Sequence, residues 1–295
     1  MNLLEEINLF IERSKNLKVA VIGETIIDEF KLVDYEGRSM KSNCSVLRSS
    51  NIVKKQYGGA TVIAKHIEEF VDSVTLISNN EEEIIKTRYI DSFTGEKYVE
   101  INQFNSDRFG KIEVDTRNFD VVIVADFGHG FCEKLEINDG FHLMCQSNSN
   151  NYGFNRVSKW RDLRKKSVTI DKREGALQLN KRSAFDTNAE INDLFNYELN
   201  TEILFLTLGK NGAVFTKGRE VLRHGGFSTK VVDTIGAGDT FFAFASLASA
   251  IDANDKNIML IPSLAAALST TWLCNENNVS VERLKSFAKD YCSND

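Results

Sequence analysis

Asp239 closes the run Gly236-Ala237-Gly238-Asp239, which opens onto an apolar stretch, 240–250, with no Pro or Gly. The pattern predicts a tight turn and then a buried helix. Small residues let a backbone come close to a ligand, and a helix start offers unpaired N–H groups that favour negative charge. A carboxylate in that place repels a phosphate. It suits taking a proton from a nucleophile, or capping the helix. Asp233, at the head of the same stretch, is a turn residue or a cation contact. Other carboxylates stand where chemistry is done. Asp28 and Asp126 each follow an apolar run, 17–23 and 121–125, and the ends of parallel strands are where open α/β sheets bind ligands. Either could equally be a loop residue. Asp171 and Glu174 lie three apart and share a face if a helix starts there, as ligand groups or as an acidic first turn. Lys86 and Arg88 lie on one side of a strand, to meet a phosphate or to face solvent.

The elements that position these residues alternate. Apolar runs at 17–23, 73–78, 121–125, 167–170 and 203–215 read as buried strands, the last with a Gly-Lys-Asn-Gly turn inside it. Helical spacing occurs at 2–15, 258–274 and 281–291, and Gly58-Gly59 opens another helix, on whose surface His66 is expected. The rhythm implies one α/β domain over 1–295, with a doubly wound, mostly parallel sheet. Two segments interrupt it, at about 30–57 and 84–107. Their alternating pattern, with a hairpin around Ser92-Phe93-Thr94-Gly95, predicts a small β-sheet lid over the site. The polar run 146–151 follows a strand and suits ligand contacts.

The chain has 295 residues, 42% hydrophobic, and a net charge of −6. That charge argues against nucleic acid, which needs a basic face. Five scattered cysteines without metal-ligand spacing read as reduced thiols. The N-terminus carries acidic residues and no apolar core, and no run is long enough to span a membrane, so a cytoplasmic setting is expected.

The string 233–243, DTIGAGDTFFA, closely resembles the C-terminal signature of the ribokinase-like (PfkB) carbohydrate kinases. The resemblance implies a ribokinase-like fold and an ATP- and Mg²⁺-dependent transfer of the γ-phosphoryl to a sugar hydroxyl. It makes Asp239 the base and the N–H groups at Gly236, Ala237 and Gly238 the stabilisers of phosphoryl charge. It places Asp28, Gly58 and Gly59 on the sugar, with Lys86, Arg88 and Asp126 as further substrate candidates. Thr207, Gly209 and Gly212, in a TLG-x-x-G element, fall on the ATP side with Asp233, and Ala265 to Ala267 against adenine. Asp171 and Glu174 fall near Mg²⁺. Two positions depart from the family pattern: Val62 and Asp171 stand where Asn is usual. The G-E-x-x-x-D opening, the K-T-R strand at 86–88 and the D-F-G-H-G loop at 126–130 resemble the heptose 7-phosphate kinase branch. Ribose, fructose and nucleosides remain alternatives, as does a homologue that binds sugar phosphate without turnover. Open lid edges imply a homodimer.

Overall fold

The computed structural model describes residues 3–79, 83–147, 153–181, 187–218, 220–254 and 257–294. Helix α1 (Leu3–Ser14) precedes strand β1 (Lys18–Gly23). Two long strands, β2 (Thr25–Arg38) and β3 (Ser45–Gly59), lead into helix α2 (Ala60–Ile67) and strand β4 (Ser73–Ile77). A hairpin of β5 (Ile84–Asp91) and β6 (Lys97–Gln103) follows, then β7 (Ile112–Glu113), β8 (Val121–Asp126), β9 (Leu135–Glu136) and β10 (Phe141–Cys145). Next come β11 (Lys165–Asp171), α3 (Lys172–Gln178), α4 (Asn188–Asp193), β12 (Thr201–Thr207), β13 (Ala213–Lys217) and β14 (Glu220–His224). Helices α5 (Ala237–Ala250), α6 (Leu260–Ser269) and α7 (Val281–Asn294) complete the chain.

Eight strands form the main sheet, in the order β14-β13-β12-β11-β10-β8-β1-β4. The strands from β4 to β12 pair in parallel, while β13 and β14 add an antiparallel edge. Parallel strands covered on both faces must be apolar on both. In β1, Val19 and Val21 enter one core with α1, α2, α5, α6 and α7, while Ala20 and Ile22 enter a second core behind the sheet with Trp160 and Phe195. This is the doubly wound α/β arrangement that the alternation implied.

The two interrupting segments supply strands of a separate four-stranded sheet, β3-β2-β5-β6. That sheet begins earlier than the sequence pattern indicated. Only Glu24 separates β1 from β2, so Asp28 sits inside a strand and not in a loop. The chain passes straight from one sheet to the other because its polar groups are met at the crossing. The Thr25 N–H donates to Ser78 Oγ and Asn79 Oδ1.

Helix α5 is buried continuously from Thr240 to Ala248, the mark of a core helix. His66, expected on the surface of α2, is buried instead. Its Nδ1 accepts from the Val279 N–H at 3.0 Å, which leaves Nε2–H to donate to Thr240 Oγ1 at 3.0 Å. Thr240 Oγ1 in turn donates to the Gly236 carbonyl at 2.9 Å. Burial holds the imidazole neutral, with its pKa pushed down to about 3. The misplacement has a physical reason: α2 and α5 pack side by side on one face of the sheet, so a side chain facing α5 is interior. Helix α6 is shorter than the apolar run 258–274, because the Thr270 and Thr271 N–H groups turn back onto the Ala267 and Leu268 carbonyls.

Candidate active site

The turn before α5 is shaped by glycine. Gly236 has φ +83°, a left-handed conformation that side chains avoid, and a Cβ there would lie 2.5 Å from Asn275 Oδ1. A Cβ on Gly238 would meet nothing within 4 Å, because that backbone faces an open cavity. Asp233 holds the turn in place. Its Oδ1 accepts from the Thr234 and Ile235 N–H groups at 2.7 and 3.2 Å, and Cys274 Sγ donates to its Oδ2 at 3.0 Å. Asp233 is not among the side chains lining the cavity, and its contacts hold the turn.

The cavity has a volume of about 810 Å³. Thr207, Gly209 and Gly212 line it, as do Ala237 and Gly238 at the head of α5. Ala266 and Ala267 of α6 form an apolar wall with Phe227 and Phe241 across from it. Ala265 faces the core instead. A slot with small apolar walls at one end and a helix N-terminus at the other fits a nucleotide: base against the alanines, phosphates against the dipole.

Asp171 also lines this cavity. It caps α3, accepting from the Glu174 N–H, while Glu174 Oε2 accepts from the Asp171 N–H at 2.9 Å and Oε1 from the Ser147 N–H at 2.9 Å. Burial, then the charge of Asp171, raises the Glu174 carboxyl to about 8, and Asp239 adds to the rise. Of the polar run expected beside it, 148–151 falls outside the described residues.

On the other side of Asp239 stands the small sheet. Asp28 is buried and forms an ion pair with Arg88, whose Nε also donates to Glu100 Oε2 at 2.9 Å. Arg88 is therefore neither a solvated strand residue nor an open cation. Lys86 is buried beside it, and burial lowers its pKa against the pull of Glu100 and Asp28. Gly58 lies against this group: a Cβ there would come 2.7 Å from Asp28 Oδ2. Gly59, with φ +65°, packs where a Cβ would lie 2.2 Å from the Glu24 carbonyl oxygen. Val62, at the position where Asn was expected, is buried.

Asp126 is brought elsewhere. It has no exposed surface and is enclosed by Lys159, Trp160 and Asn155. His129 is buried in the same region, edge-on to Phe104 at 4.9 Å between ring centroids.

Asp239 joins the two halves. Its carboxyl is pushed up to about 7, first by burial, next by Asp28, while Lys86 pulls it down. A carboxylate takes a proton only when ionised, so a role for Asp239 as base predicts a pH limb set by this pKa. The acceptor kcat/KM should rise tenfold per pH unit below about 7 and level off above it. Lys86→Met should move that limb to higher pH, because the ammonium favours the carboxylate. Initial rates from pH 5.5 to 9 check both.

Residues 168–272 match the model of the pfkB family carbohydrate kinases. The chain carries a pfkB-family segment on a ribokinase-like fold. The fold is similar to that of the nucleoside kinase of Methanocaldococcus jannaschii, an archaeal member of the ribokinase family: TM-score 0.67, 15% identity, 94% of this chain and 99% of that one. It is similar as well to Arabidopsis thaliana ribokinase complexed with ribose and ATP: TM-score 0.64, 13% identity, 93% of this chain and 99% of that one. An ATP-dependent 6-phosphofructokinase of Thermoanaerobacterium thermosaccharolyticum is 44% identical over 46 residues, which span 16% of this chain and 14% of that protein.

The pfkB-family match covers the cavity side, β11 to α6, and stops short of the small sheet. Gln56 and Asn275, which join that sheet to the Gly236 turn through an N–H···Oε1 bond of 3.1 Å, carried no sequence signal. Neither did Phe227, whose loop drew no motif.

Proposed function

We propose that this protein transfers the γ-phosphoryl group of ATP to a hydroxyl of a sugar or sugar-like acceptor. The observation that carries the reading is the position of Asp239. It stands on the first turn of α5, between a nucleotide-sized cavity and the polar face of the small sheet. The acceptor hydroxyl lies between Asp28 and Asp239. Its oxygen attacks the γ-phosphorus as its proton passes to Asp239, the bond to the bridging oxygen breaks, and ADP leaves. The N–H groups at the head of α5 stabilise the charge on the transferring group. Little covalent work falls to the protein, so positioning dominates.

Mg²⁺ fits this donor set. Glu174 is a buried acid, raised to about 8 by burial and the charge of Asp171, and a divalent ion near it would restore the carboxylate. Asp171 and Glu174 would hold it, and it would neutralise phosphate charge. The outer face of the small sheet exposes Tyr57, Val99 and Ile101, an apolar surface suited to pairing with a second copy. The features that resemble the heptose 7-phosphate branch have other work here: Arg88 is held by two carboxylates, and Asp126 and His129 are enclosed.

ADP release measured over a panel of sugars, nucleosides and sugar phosphates tests the reading. Acceptor-dependent ADP release with at least one of them is expected. Its absence across the whole panel, with ATP bound, would leave a binding protein and not a kinase.

A further inference from the structure

Four side chains stand in one row across the small sheet. Gln56 of β3 is opposite Asp28 of β2, Asp28 is opposite Lys86 of β5, and Lys86 is opposite Asn102 of β6. Residues directly opposite one another share a face, so all four leave the sheet on the same side. That side faces the catalytic turn. Asp28 and Lys86 both act on the Asp239 carboxyl, and Gln56 reaches Asn275, which abuts Gly58 and Gly236.

Part of the row lacks partners: among the described residues, Gln56 Nε2 and Asn102 Oδ1 are enclosed without a hydrogen-bond partner. Lys86 is 7% exposed, and among the described residues its Nζ forms no hydrogen bond or ion pair. Enclosed polar atoms without partners are costly, and a group of them on one face marks a place where a ligand completes the bonding. In order, the row presents a donor, an acceptor, a donor and an acceptor. Strands lie about 4.8 Å apart, so Asp28 to Asn102 spans roughly 10 Å, enough for several hydroxyls of one molecule.

Charge selects among such molecules. Lys54 is taken by Glu276 at 2.8 Å, and Arg88 by Asp28 and Glu100. Further along β6, Lys97 offsets Asp233. Among the described residues, Lys86 is the cation of the row, and it interacts with both Asp28 and Asp239. A phosphate on the acceptor would meet Asp28, Glu100 and Asp239 against Lys86 and Arg88, an excess of like charge that costs affinity.

We propose that Gln56, Lys86 and Asn102 determine specificity for an uncharged polyhydroxyl acceptor, and that Arg88 is a positioning residue that holds Asp28. This rests on the kinase reading and narrows its acceptor class. A site built to hydrogen-bond a hydroxyl discriminates strongly against the analogue that lacks it.

The test is kcat/KM over uncharged sugars and nucleosides, their deoxy analogues and their phosphate esters, for wild type and Asn102→Ala. Asn102 lies on the edge strand β6, so its truncation spares the fold. The best uncharged acceptor should exceed its phosphate ester by at least about tenfold, and one deoxy analogue should lose about 100-fold or more. Asn102→Ala should remove most of that discrimination and leave the KM for ATP unchanged. A preference for phosphate esters overturns the inference while the kinase reading stands. So does an equal fall of sugar and deoxy sugar in Asn102→Ala. If no acceptor raises ADP release, the kinase reading fails, and thermal shift decides the row. Stabilisation by uncharged sugars that is lost in Asn102→Ala supports it. Stabilisation by phosphate esters alone, or by neither class, overturns it.

Discussion

Asp239→Asn should leave nucleotide binding intact and lower kcat by about a thousandfold, within the range of roughly 10²–10⁴ for loss of a positioned base. The amide keeps the size of the side chain and can still orient a hydroxyl, but it cannot take the proton. What remains is the contribution of positioning by the turn and the small sheet. Stability separates this from a folding defect. In the folded protein the Asp239 carboxyl titrates at about 7, above its ordinary 3.8. The folded state therefore binds the proton more tightly than the unfolded chain. That stabilising contribution is present at low pH and is lost as pH rises through about 7. At pH 8 wild type holds a carboxylate that burial disfavours, and Asn does not. The variant should melt at the same temperature as wild type or higher at pH 8, while ADP production collapses. A variant that keeps wild-type turnover would show that another group takes the proton.

The legible parts of the site were those written in consecutive residues. The Gly236-Ala237-Gly238-Asp239 turn, the Thr207-Gly209-Gly212 element and the Asp171/Glu174 pair each form their own local structure, so short strings marked them: spacing singled out the turn and the carboxylate pair, and family resemblance singled out the Thr207 element. The rest depends on contacts between distant segments. His66 meets Val279 across 213 residues, Gln56 meets Asn275 across 219, and Glu24 meets Phe127 across 103. No periodicity encodes these partners. Arg88 illustrates the limit. Its side of the strand was readable from alternation, but the carboxylates that hold it come from β2 and β6, and they change it from an open cation into a support for Asp28. Asp126 stands likewise at the end of a parallel strand, a position suited to ligands, yet Lys159 and Trp160 close over it from a segment about thirty residues on.

That enclosure leads to the largest expected effect on stability. Lys159→Met should destabilise the protein by about 3 kcal/mol, because breaking a buried ion pair leaves its partner uncompensated. Asp126 has no exposed surface and accepts from Lys159 Nζ at 2.7 Å, Trp160 Nε1 at 2.9 Å, Asn155 Nδ2 at 3.0 Å and the Gly128 N–H at 3.1 Å. The last three would remain, and the Lys159 side chain is 27% exposed, so the low end of the usual range of about 3–5 kcal/mol applies. In a chain of this size the melting temperature should fall by roughly 5 °C. Glu24 makes the loss depend on pH. Burial and Asp126 raise its carboxyl to about 7, and Lys159 holds it lower than it would otherwise be. Without the ammonium the Glu24 carboxyl binds a proton more tightly when folded. Stability then falls further as pH rises through and above 7. Melting curves at pH 6 and pH 8 should show a gap between variant and wild type that widens at pH 8. Adding Asp126→Asn to Lys159→Met should recover much of the loss, since the Asp126 charge is then gone and Glu24 keeps the Phe127 and His129 N–H groups as donors. A double variant no more stable than Lys159→Met would mean that Lys159 acts through its packing on Trp160, where it lies 5.9 Å from the ring centroid, and not through the carboxylate.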